Sequence, residues 1–364
     1  MDNRMRKTAR LGLLAAVATI GAIATGCGDE SAIWPTVTGR LGQTGSGGDE
    51  GGNTGSGGST GSGGTGVVFY YAMDYAPQHG RLTVAGDGGL KAFDPATGMK
   101  LKTVDPGSHL AVIGREAGAV TAAVQLGNLW LLDPTWKVQR NIRHQHQIFS
   151  LALAPDGSIV YSGSVDGKVR RFRTRDGVEI MPALGPDSLD TVGDVSVSAD
   201  GQYVVAAETE GVRIWRAGDG ASVLQLPGPA DRARFAPNGQ QITVVTHTAT
   251  ITYAFPAGTE LRRYDVGGTV VRVAYSSDGA KLALSTDHNT AVKVFDVATG
   301  AALLTLTDPS EVRRPEQDGV RDVTDMAFIE HDLRVAVAWR SGRLAEWLVA
   351  DGSLIWSRLD GNMN

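Results

Sequence analysis

The phrase FDPATG at 93–98 returns, almost letter for letter, as FDVATG at 295–300. An aromatic residue followed five places later by Gly recurs between and beyond them, at Phe172/Gly177, Trp215/Gly220, Tyr253/Gly258 and Trp347/Gly352. One unit, LWLLDPTWK, sets Leu132 and Lys137 at those places but keeps the Asp-Pro pair. Successive anchors lie 39, 40, 43, 38, 42 and 52 residues apart. A second phrase keeps step upstream: APDG at 154–157, SADG at 198–201, APNG at 236–239 and SSDG at 276–279. Looser forms stand at 76–80 (APQHG), 115–118 (REAG) and 329–332 (IEHD). Two phrases in step seven times over define a structural repeat, in which each unit covers the faces of its neighbours.

The residues between the phrases have the character of antiparallel strands. In the third unit, apolar and β-branched runs of five to seven residues are separated by Asp-Gly turns, which tolerate the positive φ of tight hairpins. That predicts four strands, at roughly 148–154, 158–163, 168–173 and 178–181. No sustained helical period follows the N-terminal stretch. A four-stranded meander alone leaves its faces partly apolar and its edges bare, whereas seven set radially cover each other. The expected fold is all-β: a seven-bladed β-propeller of four-stranded antiparallel blades over 67–362.

The run LAPDGSIVYSGSVDGKVRRF at 153–172 resembles the WD40 family, with its SPDG turn, small-residue second strand, turn Asp and closing Trp-Asp. The resemblance implies a propeller and a buried polar set in each blade. In the third unit His144, Ser162 and Asp166 fit the His, Ser and Asp places, while Phe172 takes the Trp place and has no N–H to donate. In the fourth, Trp215 is present, Glu210 stands near the Asp place, and no His precedes it. The chain is thus similar to a degenerate WD40-like propeller. The run SLIWSRL at 353–359 reads as the outer strand of the seventh unit itself, so closure of the ring by strand exchange stays open.

The front end differs in kind. Residues 1–10 carry Arg4, Arg6, Lys7 and Arg10, and the next fourteen, Leu11–Ala24, carry no charge. A basic start, a short apolar run and small residues describe a secretory signal, too short to span a bilayer comfortably. ATGC at 24–27 resembles the bacterial lipobox, which implies cleavage after residue 26 and acylation, for instance by palmitate, of Cys27. Cys27 is the only cysteine, so no internal disulfide can form and a free thiol would be a liability in an exported protein. Gly28, rather than Asp, follows it, which in many Gram-negative lipoproteins accompanies export to the outer membrane. Whether the anchor faces the periplasm or the cell surface is left open. From Gly39 to Gly66 the chain is a Gly/Ser-rich tether that cannot bury enough surface to order itself, with a span of roughly 30 Å. Its GGSTG at 57–61 matches G-x-S-x-G only formally, without the strand–turn–helix elbow that gives the motif meaning. The expected organisation is a signal over 1–26, a lipid-anchored linker over 27–66 and the propeller.

Charge narrows the partners. The full chain carries −5, and removal of residues 1–26, with four positives and one negative, leaves −8. Without a basic run, phosphate neutralisation has no footing, and nucleic acid is not expected as a partner. Of seven histidines only His144 and His146 are near neighbours, and neither H-E-x-x-H nor a cysteine ligand set occurs, so no metal or cofactor is expected. VADGSLIW at 349–356 resembles the Trp-docking phrase of eight-bladed quinone-cofactor propellers but occurs once, where that family repeats it.

Two places suit binding. The connection at 307–322 accounts for the 52-residue interval and carries Glu311, Arg313, Arg314, Glu316 and Arg321, a polar set suited to a protein surface. In the innermost strands Asp194, Arg232, Arg272 and Asp325 align at one equivalent position of units four to seven. Asp194 facing Arg232, and Arg272 facing Asp325, would form axial ion pairs, more structural than ligand-binding in character. The leading expectation is a non-enzymatic, lipid-anchored scaffold that binds other cell-envelope proteins, similar to lipoprotein propellers that assist outer-membrane protein insertion. The alternative is a binder or hydrolase of a small-molecule or carbohydrate ligand at the axial mouth.

Overall fold

A computed structural model describes residues 70–76, 79–86, 89–104, 113–117, 120–125, 128–186, 190–268, 270–286, 291–308 and 323–360. The signal and tether expected over 1–66, Cys27 among them, and the loop residues Glu311, Arg313, Arg314, Glu316 and Arg321 lie outside the described residues.

Each repeat folds onto itself. Blade 1 holds β1 (Tyr70–Ala76), β2 (Arg81–Gly86), β3 (Gly89–Phe93) and β4 (Lys100–Val104). Blade 2 holds β5 (Ile113–Ala117), β6 (Val120–Gln125), β7 (Asn128–Leu132) and β8 (Val138–Arg143). Blade 3 has β9 (Ile148–Leu153), β10 (Ile159–Ser164) and β11 (Val169–Arg173). Blade 4 has β12 (Val192–Val197), β13 (Tyr203–Glu208), β14 (Gly211–Arg216) and β15 (Ser222–Pro227). Blade 5 has β16 (Arg232–Phe235), β17 (Gln241–Val245), β18 (Thr250–Ala254) and β19 (Glu260–Tyr264). Blade 6 has β20 (Val270–Tyr275), β21 (Lys281–Thr286), β22 (Ala291–Asp296) and β23 (Ala302–Thr307). Blade 7 has β24 (Val323–Ile329), β25 (Arg334–Trp339), β26 (Arg343–Leu348) and β27 (Leu354–Leu359). In every sheet neighbours in sequence are neighbours in space and run antiparallel. The first strands β1, β5, β9, β12, β16, β20 and β24 touch one another in turn, and β24 touches β1, so seven blades close a ring.

Blade 3 departs from expectation. A fourth strand at 178–181 is replaced by two isolated bridges, Val169 to Leu184 and Phe172 to Glu179. Between them Pro182 has no N–H to give to the ladder, and two extra residues bulge out of register.

The core lies between blades. One cluster joins Tyr70, Leu82 and Phe93 of blade 1 to Ile329, Ala336 and Leu344 of blade 7. Others join blade 3 to blade 4 through Tyr161, Val195 and Trp215, and blade 4 to blade 5 through Ile214, Phe235 and Ile242. Second strands are sandwiched tightly. A Cβ on Gly163 would stand 2.5 Å from Val192 Cγ1, which is why β10 carries Gly at that place.

The repeated Gly has a physical reason. Gly98 and Gly300 turn between the third and fourth strands at φ +65° and +75°, a region L side chains resist. Each also faces a side chain of the preceding blade: a Cβ on Gly98 would lie 2.6 Å from the ring of Trp356, and one on Gly300 would meet the guanidinium of Arg262. The Asp of the phrase caps the same turn, Asp94 accepting from the N–H groups of Ala96 and Thr97 at 2.7 and 3.0 Å. The phrase is therefore where one blade's outer strand rests on the next blade's turn.

Among the described residues, ring closure uses no exchanged strand. β27 pairs with β26 of its own blade, and side chains join blade 7 to blade 1. Asp360 accepts from Lys91 Nζ at 2.6 Å and Lys100 Nζ at 3.1 Å, with Lys91 and Asp360 both buried. Trp356 Nε1 donates to the Pro95 carbonyl at 3.1 Å. The outer strands carry Lys and Arg on their exposed edges, as in KLKTV of β4 and VQRNIR of β8, which discourages edge pairing between molecules.

Candidate functional site: the axial cavity

The inner strands surround a cavity of about 680 Å³ on the ring axis. Its deep part is set by a recurring irregularity. β12, β20 and β24 each carry a β-bulge just before Asp194, Arg272 and Asp325. A bulge turns one backbone group out of its ladder. Arg232 Nη1 donates to the carbonyl of bulge residue Gly193 at 3.2 Å, and Arg272 Nε donates to that of bulge residue Thr324. Arg232 Nη1 also donates to the Asp231 carbonyl at 3.2 Å, and Arg272 Nη1 to that of Val271 at 2.7 Å.

The four aligned residues do share one register. Asp194, Arg232, Arg272 and Asp325 stand opposite Ala207, Val245, Ser285 and Ala338 of their second strands. Their partners differ from those expected. Asp194, buried, pairs with Arg234 rather than Arg232, accepts from the Ala233 N–H at 3.2 Å, and takes a longer bond from Ser150 Oγ at 3.4 Å. Arg232 and Arg234 lie on the same side of β16, two residues apart, and it is the second that reaches Asp194. Asp325 accepts from the N–H groups of Met73 at 3.1 Å and Met326 at 3.0 Å, and favours the charge on Arg272 electrostatically.

A latch repeats from blade to blade at this level. Ser150 accepts the N–H of Val195, Asp194 that of Ala233 and Asp325 that of Met73, each on the next inner strand. Polar residues at this position hold successive blades together with an acceptor for one backbone donor.

The mouth lies at the other end of β24, where Ser277, His331 and Asp332 line the cavity. Asp332 accepts the Ser277 N–H at 2.8 Å and its hydroxyl at 2.6 Å, joining the turns of blades 6 and 7. Cations line blades 5 and 6 (Arg232, Arg234, Arg272) and carboxylates line blades 7 and 1 (Asp325, Asp332, Asp74), so the cavity is polarised across its width. Burial first, and then Arg232, push the pKa of Arg272 down to about 9, which leaves it charged at neutral pH. Among the described residues, no group of three or more His, Cys, Asp or Glu is placed to hold a metal ion.

Two buried glutamates escaped the sequence. Glu208 and Glu346 are pushed up to about 7 and about 8 by burial, against the pull of Arg213 and Arg334 respectively. Each leaves one Oε1 without a hydrogen bond. The only signal was an acidic residue at an inward position of a strand. Because the folded pKa of Glu346 exceeds the ordinary 4.5, the folded state holds its proton more tightly, and stability falls as pH rises from about 4.5 through about 8. Glu346→Gln is expected to raise stability at pH 9 by about 1–3 kcal/mol and by little at pH 4. Arg334 keeps Glu330 at 3.1 Å in that variant. Denaturant midpoints at the two pH values check this; an equal effect at both would refute the burial argument.

The polar set of blade 3 is partly assembled. His144, buried, places Nδ1 at 2.6 Å from the His146 carbonyl, so Nδ1 carries the proton and Nε2 accepts from Ser162 Oγ at 3.1 Å. Burial lowers the pKa of His144 and keeps it neutral. Phe172 meets the imidazole edge to face at 6.1 Å. Asp166 is drawn to Arg170 Nη2 at 2.6 Å. Burial opposes its charge, but hydrogen bonds from Arg170 and Ser164 hold its carboxyl well below the usual range.

Residues 136–172 match the WD40 family model, described as WD domain, G-beta repeat. The match runs from Trp136, ahead of β8, to Phe172 in β11, and so contains His144, Ser162 and Asp166. It falls on the repeat whose polar set is kept in part, and the WD40 resemblance of a seven-bladed ring is seen there in sequence. Among curated proteins, none matches the chain.

Proposed function

We propose that this chain is a non-enzymatic scaffold of the bacterial cell envelope, lipid-anchored through Cys27, that binds another envelope protein on its propeller. WD40 propellers are commonly protein-interaction scaffolds, and the analogy is one of fold. What carries the reading is the chain length between β23 and β24. Residues 308–322 join those strands, whereas 228–231 suffice between β15 and β16. A long connection on a rigid ring is where binding residues accumulate, and this one contains Glu311, Arg313, Arg314, Glu316 and Arg321.

The test is capture from solubilised native envelopes with the whole chain as bait, beside a chain whose 309–322 segment is cut to a short turn. A partner held by the first and lost by the second is expected. If both baits hold the same proteins, the connection is not the surface; if neither holds any above background, the scaffold reading fails. A second reading, a small-ligand or carbohydrate site at the axial mouth, draws on the cavity itself. Asp74, Asp325 and Asp332 there accept backbone N–H groups, which suits binding better than acid–base hydrolysis.

A further inference from the structure

We propose that the axial cavity seats a carboxylate-bearing peptide segment, with the carboxylate held between Arg232 and Arg272. This goes beyond the scaffold reading, because the mouth at Ser277, His331 and Asp332 lies at the opposite end of β24 from the 308–322 connection.

Three observations lead there. The hydrogen bonds of both guanidinium groups go to carbonyl oxygens, at Gly193 and Asp231 for Arg232 and at Thr324 and Val271 for Arg272. Among the described residues neither makes an ion pair with a carboxylate, while their neighbour Arg234 has Asp194. A guanidinium has five N–H donors in a fork that fits a carboxylate, and these bonds leave Nη2 of each, with Nε of Arg232, to a ligand. The two cations also oppose each other: the charge of Arg232 works with burial to lower the pKa of Arg272, and an anion between them would relieve that. Finally, the cavity of about 680 Å³ lies within the range of small-ligand sites and joins these cations to apolar walls such as Met73, Val195 and Met326.

The opposite wall decides how much negative charge can enter. Asp74, Asp325 and Asp332 would repel a polyanion such as a nucleic acid or polyphosphate, so a single carboxylate on a largely neutral segment fits best.

Titration calorimetry of the whole chain tests this with three probes: a blocked Gly-Ser-Glu-Ser-Gly peptide, its Gln counterpart and acetate. The Glu peptide should bind one to one, about tenfold tighter than the Gln peptide, as the loss of one charge-assisted contact implies. That preference should vanish in Arg232→Gln and Arg272→Gln and persist in Arg175→Gln, whose side chain is 77% exposed at the rim. Arg232→Lys and Arg272→Lys keep the charge and should keep part of the preference, and a denaturation midpoint for each variant shows that it is folded. An unchanged Glu preference in a folded Arg232→Gln/Arg272→Gln double variant would overturn the proposal. So would acetate binding as tightly as the Glu peptide, which would make this a small-carboxylate pocket, and so would absence of saturable Glu-peptide binding.

Discussion

Replacing Asp360 by Ala is expected to destabilise the protein by about 3–5 kcal/mol, the usual consequence of removing one partner of a buried ion pair. Asp360 is nearly inaccessible and receives both Lys91 Nζ and Lys100 Nζ, at 2.6 and 3.1 Å. Lys91 has 7% of its side chain exposed and lies over the ring of Tyr70, so without Asp360 its charge stays buried with no carboxylate. Most of the loss is that stranded ammonium, and only a minor part is attraction between the two groups. Adding Lys91→Met to Asp360→Ala should therefore restore much of the stability, since an apolar side chain of similar volume needs no counter-charge. Denaturant unfolding of the wild type, both single variants and the double variant closes the cycle. A cost below about 1 kcal/mol for Asp360→Ala, in the range of exposed pairs, would show that this bridge does not hold blade 7 to blade 1.

The second large effect is at Gly98. Gly98→Ala is expected to cost about 3 kcal/mol, from left-handed backbone strain of about 1 kcal/mol and overpacking of about 1–3 kcal/mol. The added Cβ would lie 2.6 Å from Trp356 Cε3 and 2.8 Å from two further ring atoms. The ring cannot easily swing away, because its Nε1 is bonded to the Pro95 carbonyl. Gly239 separates the two terms. Its φ is +68°, close to the +65° of Gly98, yet nothing lies within 4 Å of the Cβ it would gain. Gly239→Ala should therefore cost only about 1 kcal/mol, from strain alone. The difference between the variants, read from unfolding midpoints at unchanged m-value, reports the packing of blade 7 on blade 1. Equal costs would mean that Trp356 does not rest on that turn.

Much of the ring was legible because its turns are local. The Asp and Gly of FDPATG act within six residues, and the period between such phrases counts the blades. The SPDG-like turns mark where each inner strand ends. The outer segment of blade 3 was misjudged because VEIM at 178–181 has strand composition, while the residues that interrupt its ladder, around Pro182, come after it. Ring closure was not legible because Lys91 and Asp360 are 269 residues apart. A faint signal existed: Asp308 follows β23 as Asp360 follows β27, both are buried, and both bond to the next blade, at Ser357 and Lys91. At the axis, alignment found the right register and missed the right pair. Register follows the alternating pattern and the turns, whereas Arg232 and Arg234 share one side of β16, so alternation cannot tell which of them meets Asp194.

The proposed scaffold role requires a ring held by such contacts to bind a protein partner through its β23–β24 connection. Photo-crosslinking in the native envelope tests it most directly, with the crosslinking residue placed at Arg314, at Arg321 and, as a control, at Leu303 on the outer strand of blade 6, which is 48% exposed. One adduct of defined mass is expected from positions 314 and 321 and none of that mass from position 303. The same adducts from all three positions, or none from any, would contradict it.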